Sequence, residues 1–268
     1  MVNVEYFSIG KNTSKNEDFV GKNDHTFVVA DGATDISGRK YDGKTSGELA
    51  SRLIVETCLN YELDGIKLIE RINENMQDLY RKHENNKAFT DKRYRYISAF
   101  VSASVRDDRM IITQVGDTSF RLNGDIVYQD DNKLQEKMSK MRRNYIQTFG
   151  SKYDEDSEEF QKILVDSRKA LGDVLENQYD ILNNPNHELC FEKIDGFYVP
   201  KGYFYNIPLE DVKTLEMFTD GYFSIPKEST IDAWEKEFVK VEKEDPYKYK
   251  EYPSTKIKDD RTIMIVRF

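Results

Sequence analysis

Four acidic spots in the sequence each stand against a short apolar run. Glu17-Asp18 precedes Phe27 to Ala30, Asp31-Gly32 follows that run directly, Asp220-Gly221 follows Leu215 to Thr219, and Asp259-Asp260 precedes Ile263 to Val266. Short apolar runs bounded by turn residues read as buried strands. A strand fixes its end residue more firmly than a loop does, so several strand ends can carry carboxylates to one point. Carboxylates gathered in this way repel one another unless cations lie between them. An all-oxygen donor set selects hard ions such as magnesium or manganese. The three histidines, His25, His83 and His187, and the two cysteines, Cys58 and Cys190, are too few for the nitrogen and sulfur ligands that zinc prefers, and both cysteines read as buried thiols. Asp-Gly is also a common turn dipeptide. Asp42-Gly43, Asp64-Gly65 and Asp195-Gly196, none of which follows an apolar run, carry that plainer reading.

Around these spots the pattern alternates between strand and helix. Phe27 to Ala30 is a strand that Asp31-Gly32 ends in a turn. From Thr45, apolar residues at Leu49, Leu53, Ile54 and Cys58 have helical spacing, and Ile66 to Tyr80 repeats it. Ile97 to Val105 and Met110 to Val115 form a hairpin about Arg106 to Arg109, and Phe120 to Tyr128 another about Asn123-Gly124. Residues about 131–200 are charged and irregular, a variable insertion with one amphipathic helix through Phe160, Ile163, Leu164, Leu171, Val174 and Leu175. Strands return at Leu215 to Phe218 and Thr262 to Phe268. This order predicts an α+β fold of packed layers with antiparallel sheets. The length of 268 residues suits a single domain over 1–268.

Charge excludes some functions. A net charge of -9 argues against a nucleic-acid partner, which needs a concentrated basic face. The basic run Lys137 to Arg143 reads as a solvated helical face. No apolar run approaches the roughly 20 residues of a membrane span and the start lacks a signal peptide, so no membrane partner and a cytoplasmic location are expected.

Taken in order, six short motifs resemble those of the metal-dependent protein phosphatases, the type 2C serine/threonine phosphatases, in their bacterial form. Asn16-Glu17-Asp18-Phe19 is similar to the family's first acidic motif and Val28-Val29-Ala30-Asp31-Gly32 to its second. Gly47 to Ser51 resembles the start of the following helix, and Val115-Gly116-Asp117-Thr118 the hairpin in mid-domain. Phe218-Thr219-Asp220-Gly221 and Asp259-Asp260-Arg261-Thr262 resemble the last two motifs, while about 151–200 has no counterpart. The resemblance implies a four-layer αββα sandwich with two central, mainly antiparallel sheets. It implies two Mn2+ or Mg2+ ions, one held by Asp31, Asp220 and Asp259, the other by Asp31, the Gly32 carbonyl and Glu17, with Asp18 as a ligand or supporting carboxylate. A water between the ions would attack phosphorus with no protein nucleophile. The implied substrate is a phosphoprotein bearing phosphoserine or phosphothreonine, opposed by a cognate serine/threonine kinase.

Three positions depart from the family. Thr13 stands where an arginine usually grips the substrate phosphate, leaving Lys11 and Lys15 as candidate phosphate-binding residues. Ala33 replaces a histidine, and Ser224 replaces a carboxylate that would join Asp117 in a third metal site, so Asp117 is read in the first place as shaping its turn. Two rival readings follow. Gly38 to Thr45 fits the G-x-x-x-x-G-K-[ST] phosphate loop of nucleotide hydrolases, which would make Lys44 essential. The lost arginine and Ser224 also suit a catalytically weak relative that serves as a regulatory binding module.

Overall fold

The computed structural model describes residues 2–11, 15–33, 37–129, 132–199 and 201–268. One five-stranded sheet runs β1 (Asn3–Ile9), β10 (Arg261–Arg267), β9 (Thr214–Phe218), β6 (Ser119–Leu122) and β7 (Ile126–Tyr128). The other runs β2 (Phe19–Lys22), β3 (Thr26–Ala33), β4 (Ile97–Arg106), β5 (Arg109–Val115) and β8 (Tyr203–Pro208). The strand pairings among the described residues are all antiparallel.

The continuous apolar runs exist because both faces of these strands are covered. In β3, Phe27 and Val29 point to the other sheet, where they meet Phe120, Met217 and Met264. The alternating Val28 and Ala30 point outward, against α1 (Ser46–Asn60) and α2 (Gly65–Lys82) through Ile54, Val55, Leu68 and Ile72. In β10, Met264 and Val266 face the inter-sheet core, whereas Ile263 and Ile265 face Trp234 of α6 (Ile231–Glu244). The result is the four-layer αββα order of helices, sheet, sheet and helix.

Both predicted hairpins form, with Asp107, Asn123 and Gly124 in the left-handed region that tight turns use. β3 is longer than the sequence suggests, since pairing continues through Asp31, Gly32 and Ala33 opposite Ala99, Ser98 and Ile97. β1, β2, β8 and α6 were without a clear signal in the sequence. β8 is an edge strand of partly exposed residues, so it lacks the apolar run that marks a central strand.

The insertion holds three helices, α3 (Lys133–Gly150), α4 (Glu158–Lys169) and α5 (Gly172–Ile181), in place of one. The apolar stripe splits at Ala170-Leu171 because its two halves have different partners. Phe160 and Leu164 pack on Ile146 and Tyr249, whereas Leu171, Val174 and Leu175 pack on Leu134 and Met138. The run Lys137 to Arg143 is not wholly solvated. Arg142 is buried, and its guanidinium donates to the carbonyls of Tyr247, Lys248 and Ser254 at 2.8 to 3.0 Å, tying α3 to the segment before β10. Cys58 is buried, which pushes its thiol up to about 12, but Cys190 is only partly buried.

A charged pair lies under α6. Arg121 on β6 donates to both Glu216 oxygens, and the Trp234 indole donates to Glu216 Oε1 at 2.8 Å. A buried guanidinium deprived of its carboxylate keeps the cost of leaving water and loses the compensation. Glu216→Gln is therefore expected to lower unfolding stability by about 3 to 5 kcal/mol in urea denaturation, against less than about 0.5 kcal/mol for the exposed-pair variant Asp232→Asn.

Candidate active site

Asp31 near the end of β3, Asp117 in the turn between β5 and β6, and Asp220 just past β9 each place a carboxylate oxygen within 4.8 Å of the other two. With Asp259, Glu17, Gly32 and Lys11 they line a cavity of about 300 Å³. Asp117 thus turns its carboxylate to the cluster and does more than shape the hairpin turn that its Gly-Asp dipeptide suggests.

The remaining sequence candidates fall elsewhere. Asp18 is buried behind the cavity, where its Oδ2 accepts hydrogen bonds from the hydroxyls of Thr219 and Thr262, both at 2.8 Å. It thereby clips β9 to β10, and burial pushes its carboxyl up to about 7. Lys15 is exposed and does not line the cavity. Thr13 lies outside the described residues. Ser224 donates its hydroxyl to Glu237 of α6 at 2.7 Å.

The glycines of the two site Asp-Gly pairs serve close approach. A Cβ on Gly32 would stand 2.2 Å from the Gly47 carbonyl oxygen and 2.6 Å from that of Glu17, and one on Gly221 would stand 1.9 Å from the Asp260 carbonyl oxygen. In contrast, Gly43, Gly65 and Gly196 of the other three pairs have φ of 80°, 59° and 86°, as turns require. The same dipeptide therefore does two jobs in one chain.

Glu17 is held from three sides. Its side chain accepts from the Thr45 hydroxyl at 2.5 Å, its carbonyl accepts from Ser51 Oγ at 2.6 Å, and its N–H donates to Asp260 Oδ2 at 2.9 Å. Asp260 Oδ1 accepts from the Lys11 N–H at 2.7 Å, so this carboxylate braces backbone and leaves the cavity to its neighbour Asp259. These contacts also answer the nucleotide-loop rival. Tyr41 and Lys44 exchange backbone hydrogen bonds at 2.9 and 3.0 Å across a tight turn, with Asp42 and Gly43 both at positive φ. The Lys44 N–H that would cradle a phosphate is engaged there, and the Thr45 hydroxyl is engaged by Glu17.

Three lysines answer the carboxylates. Lys193 pairs with Asp117 and lies 4.0 Å from Asp31 Oδ2, and Lys256 pairs with Asp259. Lys11 Nζ is 3.6 Å from Glu17 Oε2 and from Asp259 Oδ1. Lys193 and Lys256 escaped sequence reading because each sits in an irregular polar stretch with no period to mark it. Burial pushes the Asp31 carboxyl well up and that of Asp220 up to about 6, against the pull of Lys193 and Lys256. At Asp117 burial acts in the same direction, but the adjacent Lys193 ammonium outweighs it and holds the group below the usual carboxylate range. Five carboxyl groups face three ammoniums in a confined space, and the donors are all oxygen. That set fits hard divalent cations.

A sequence model of the family described as "Protein phosphatase 2C" matches residues 10–252. A comparison with curated proteins finds no match by sequence. Among solved structures, the Mycobacterium tuberculosis serine/threonine phosphatase PstP/Ppp is 14% identical, with a TM-score of 0.53 over 100% of this chain and 98% of that one. Staphylococcus aureus Stp1, a serine/threonine phosphatase, is 16% identical at a TM-score of 0.54 over 100% and 95% of the two chains. The catalytic domain of PstP in complex with two manganese ions is 12% identical at 0.53 over 99% and 97%. At these identities the likeness is one of fold.

The close approach at Gly221 yields a stability test. Gly221→Ala drives a methyl into the Asp260 carbonyl and is expected to cost about 3 kcal/mol or more in chemical denaturation. Gly43→Ala, which meets open space, is expected to cost only the left-handed penalty of about 1 to 2 kcal/mol.

Proposed function

The chain belongs to the protein phosphatase 2C family, and from that premise we propose that Asp31, Asp220, Asp259, Glu17 and the Gly32 carbonyl would hold its two divalent ions, Mn2+ or Mg2+, and that the protein uses them to hydrolyse phosphoserine and phosphothreonine in proteins. The family is one of metal-dependent serine/threonine phosphatases. The observation that supports the residue assignment is the arrival of Asp31, Asp117 and Asp220 within 4.8 Å of one another at strand ends, beside Asp259 in one cavity. When bound, a pair of divalent ions supplies positive charge against the phosphoryl oxygens and lowers the pKa of water between them.

The protein's own part is positioning. β3, β9 and the start of β10 set the aspartates, and Asp18 and Asp260 hold those backbones at a fixed separation through Thr219, Thr262, Lys11 and Glu17. Lys11, whose side chain is 34% exposed beside Glu17 and Asp259, is the candidate to meet an incoming phosphate from the solvent side. Lys15, exposed and not among the lining residues, is the weaker candidate for that role.

Besides the charged residues, Leu134, Met138, Leu175 and Phe191 of the 131–200 insertion line the same cavity with apolar side chains. A phosphorylated side chain carried on a polypeptide suits that combination, with phosphate at the charged residues and neighbouring residues against the apolar ones. This supports a phosphoprotein substrate; a cognate opposing kinase, a cytosolic setting and a single catalytic domain over 1–268 belong to the same proposal. No helix among the described residues is long and apolar enough to cross a membrane. The pairing of Lys193 and Lys256 with site carboxylates gives some support to the second reading, a weak or inactive binding module.

Phosphate release from an aryl phosphate separates the two. Manganese-dependent turnover is expected, lost on chelation and reduced about a thousandfold by Asp31→Asn or Asp220→Asn. Turnover indifferent to manganese, or undiminished in both variants, would remove the assignment of these residues.

A further inference from the structure

Lys193 is unusual among the lysines of the cavity in how firmly its backbone is placed. The Asn183 side chain takes it from both sides, accepting from the Lys193 N–H at 3.0 Å and donating to its carbonyl at 2.9 Å. The next residue, Ile194, exchanges two backbone hydrogen bonds with Ser98 on β4, at 2.9 and 3.1 Å, and the Ser98 hydroxyl donates to the Asp31 carbonyl at 2.7 Å. The segment carrying the lysine and the strand carrying Asp31 are thus tied together by direct bonds. The outcome is an ammonium delivered into the carboxylate triad, with its side chain only 10% exposed, paired to Asp117 and 4.0 Å from Asp31.

A divalent ion and an ammonium answer the same need with different charge. A carboxylate pair can close on either, but two cations at one corner repel each other across a distance of a few ångströms. Asn183 fixes the Lys193 backbone, and the ammonium, largely buried and paired with Asp117, already occupies this corner, so a divalent ion there would have to displace it.

We propose that Lys193 is a built-in monovalent cation that stands in for a divalent ion at the Asp117 corner of the triad, so that the centre binds fewer divalent ions than its carboxylates could hold. The inference rests on the metal-holding role proposed for Asp31 and Asp220. It makes Lys193 a positioning residue that sets metal stoichiometry through Asp117. Asp31 and Asp220 keep their oxygens for ions farther from the lysine, and Asp117 is taken out of the ligand set.

Manganese binding by the full chain, counted by electron paramagnetic resonance of free Mn2+ and by calorimetry, tests this without reference to turnover. Lys193→Met is expected to bind one more Mn2+ per chain than the wild type, or to bind its weakest ion at least about tenfold more tightly, because a positive charge has left the corner. Lys193→Arg is expected to keep the wild-type count. Adding Asp117→Asn to Lys193→Met is expected to abolish the extra site. Lys193→Gln serves as a second neutral variant, with thermal unfolding as the check that each protein is folded. Equal counts and affinities in the wild type and the neutral variants would overturn the inference alone. Absence of Mn2+ binding in every protein would overturn it together with the metal-centred reading on which it rests.

Discussion

Mutual repulsion among carboxylates is the constraint that this structure is built to withstand. Asp31, Asp117, Asp220 and Asp259 come from four places in the chain, and left to themselves would separate. They are kept together because their backbones belong to two sheets whose inner faces share one core of Phe27, Val29, Met217 and Met264. Burying such side chains contributes about 1.5 to 3 kcal/mol each, and that gain offsets the cost of holding like charges in a confined space. The site gathers like charges, and the sandwich is what holds it together.

That division explains what could be read from the sequence. Strands covered on both faces leave continuous apolar runs, so β3, β4, β9 and β10 were legible, and the carboxylates next to them stood out as an ordered set. What lay beyond reach depended on tertiary contacts. Gly32 and Gly221 look like turn glycines in one dimension, and only the nearness of Gly47 and Asp260 reveals why a side chain is excluded. Asp117 could not be assigned to the cluster because its partner Lys193 is far along the chain in a segment without periodicity. The stripe from Phe160 to Leu175 looked like one helix because a break at Ala170-Leu171 leaves the apolar spacing almost unchanged while the partners change.

The neighbouring residues Asp259 and Asp260 illustrate how position decides chemistry. One faces the cavity and pairs with Lys256, and the other turns back to accept from the N–H groups of Lys11 and Glu17. The two side chains thus serve different partners although they are adjacent in the chain. Glu17 and Asp18 divide in the same way: the first lines the cavity and the second accepts from the hydroxyls of Thr219 and Thr262. Acidic doublets of this kind supply a side chain for the chemistry and another for the frame in two consecutive residues.

β10 lies between β1 and β9, and its approach carries Asp259 and the Asp260 brace that reaches back 249 residues to Lys11. During synthesis every other carboxylate of the cavity emerges before this strand does. Without it, β1 is cut off from β9, and the N–H groups of Lys11 and Glu17 lack the Asp260 carboxylate that accepts from them. Such long-range closure is slow, because loop entropy must be overcome before the contact forms. The geometry therefore makes the cavity conditional on β10, because the Asp260 carboxylate that fixes Lys11 and Glu17 is anchored only when this strand has paired.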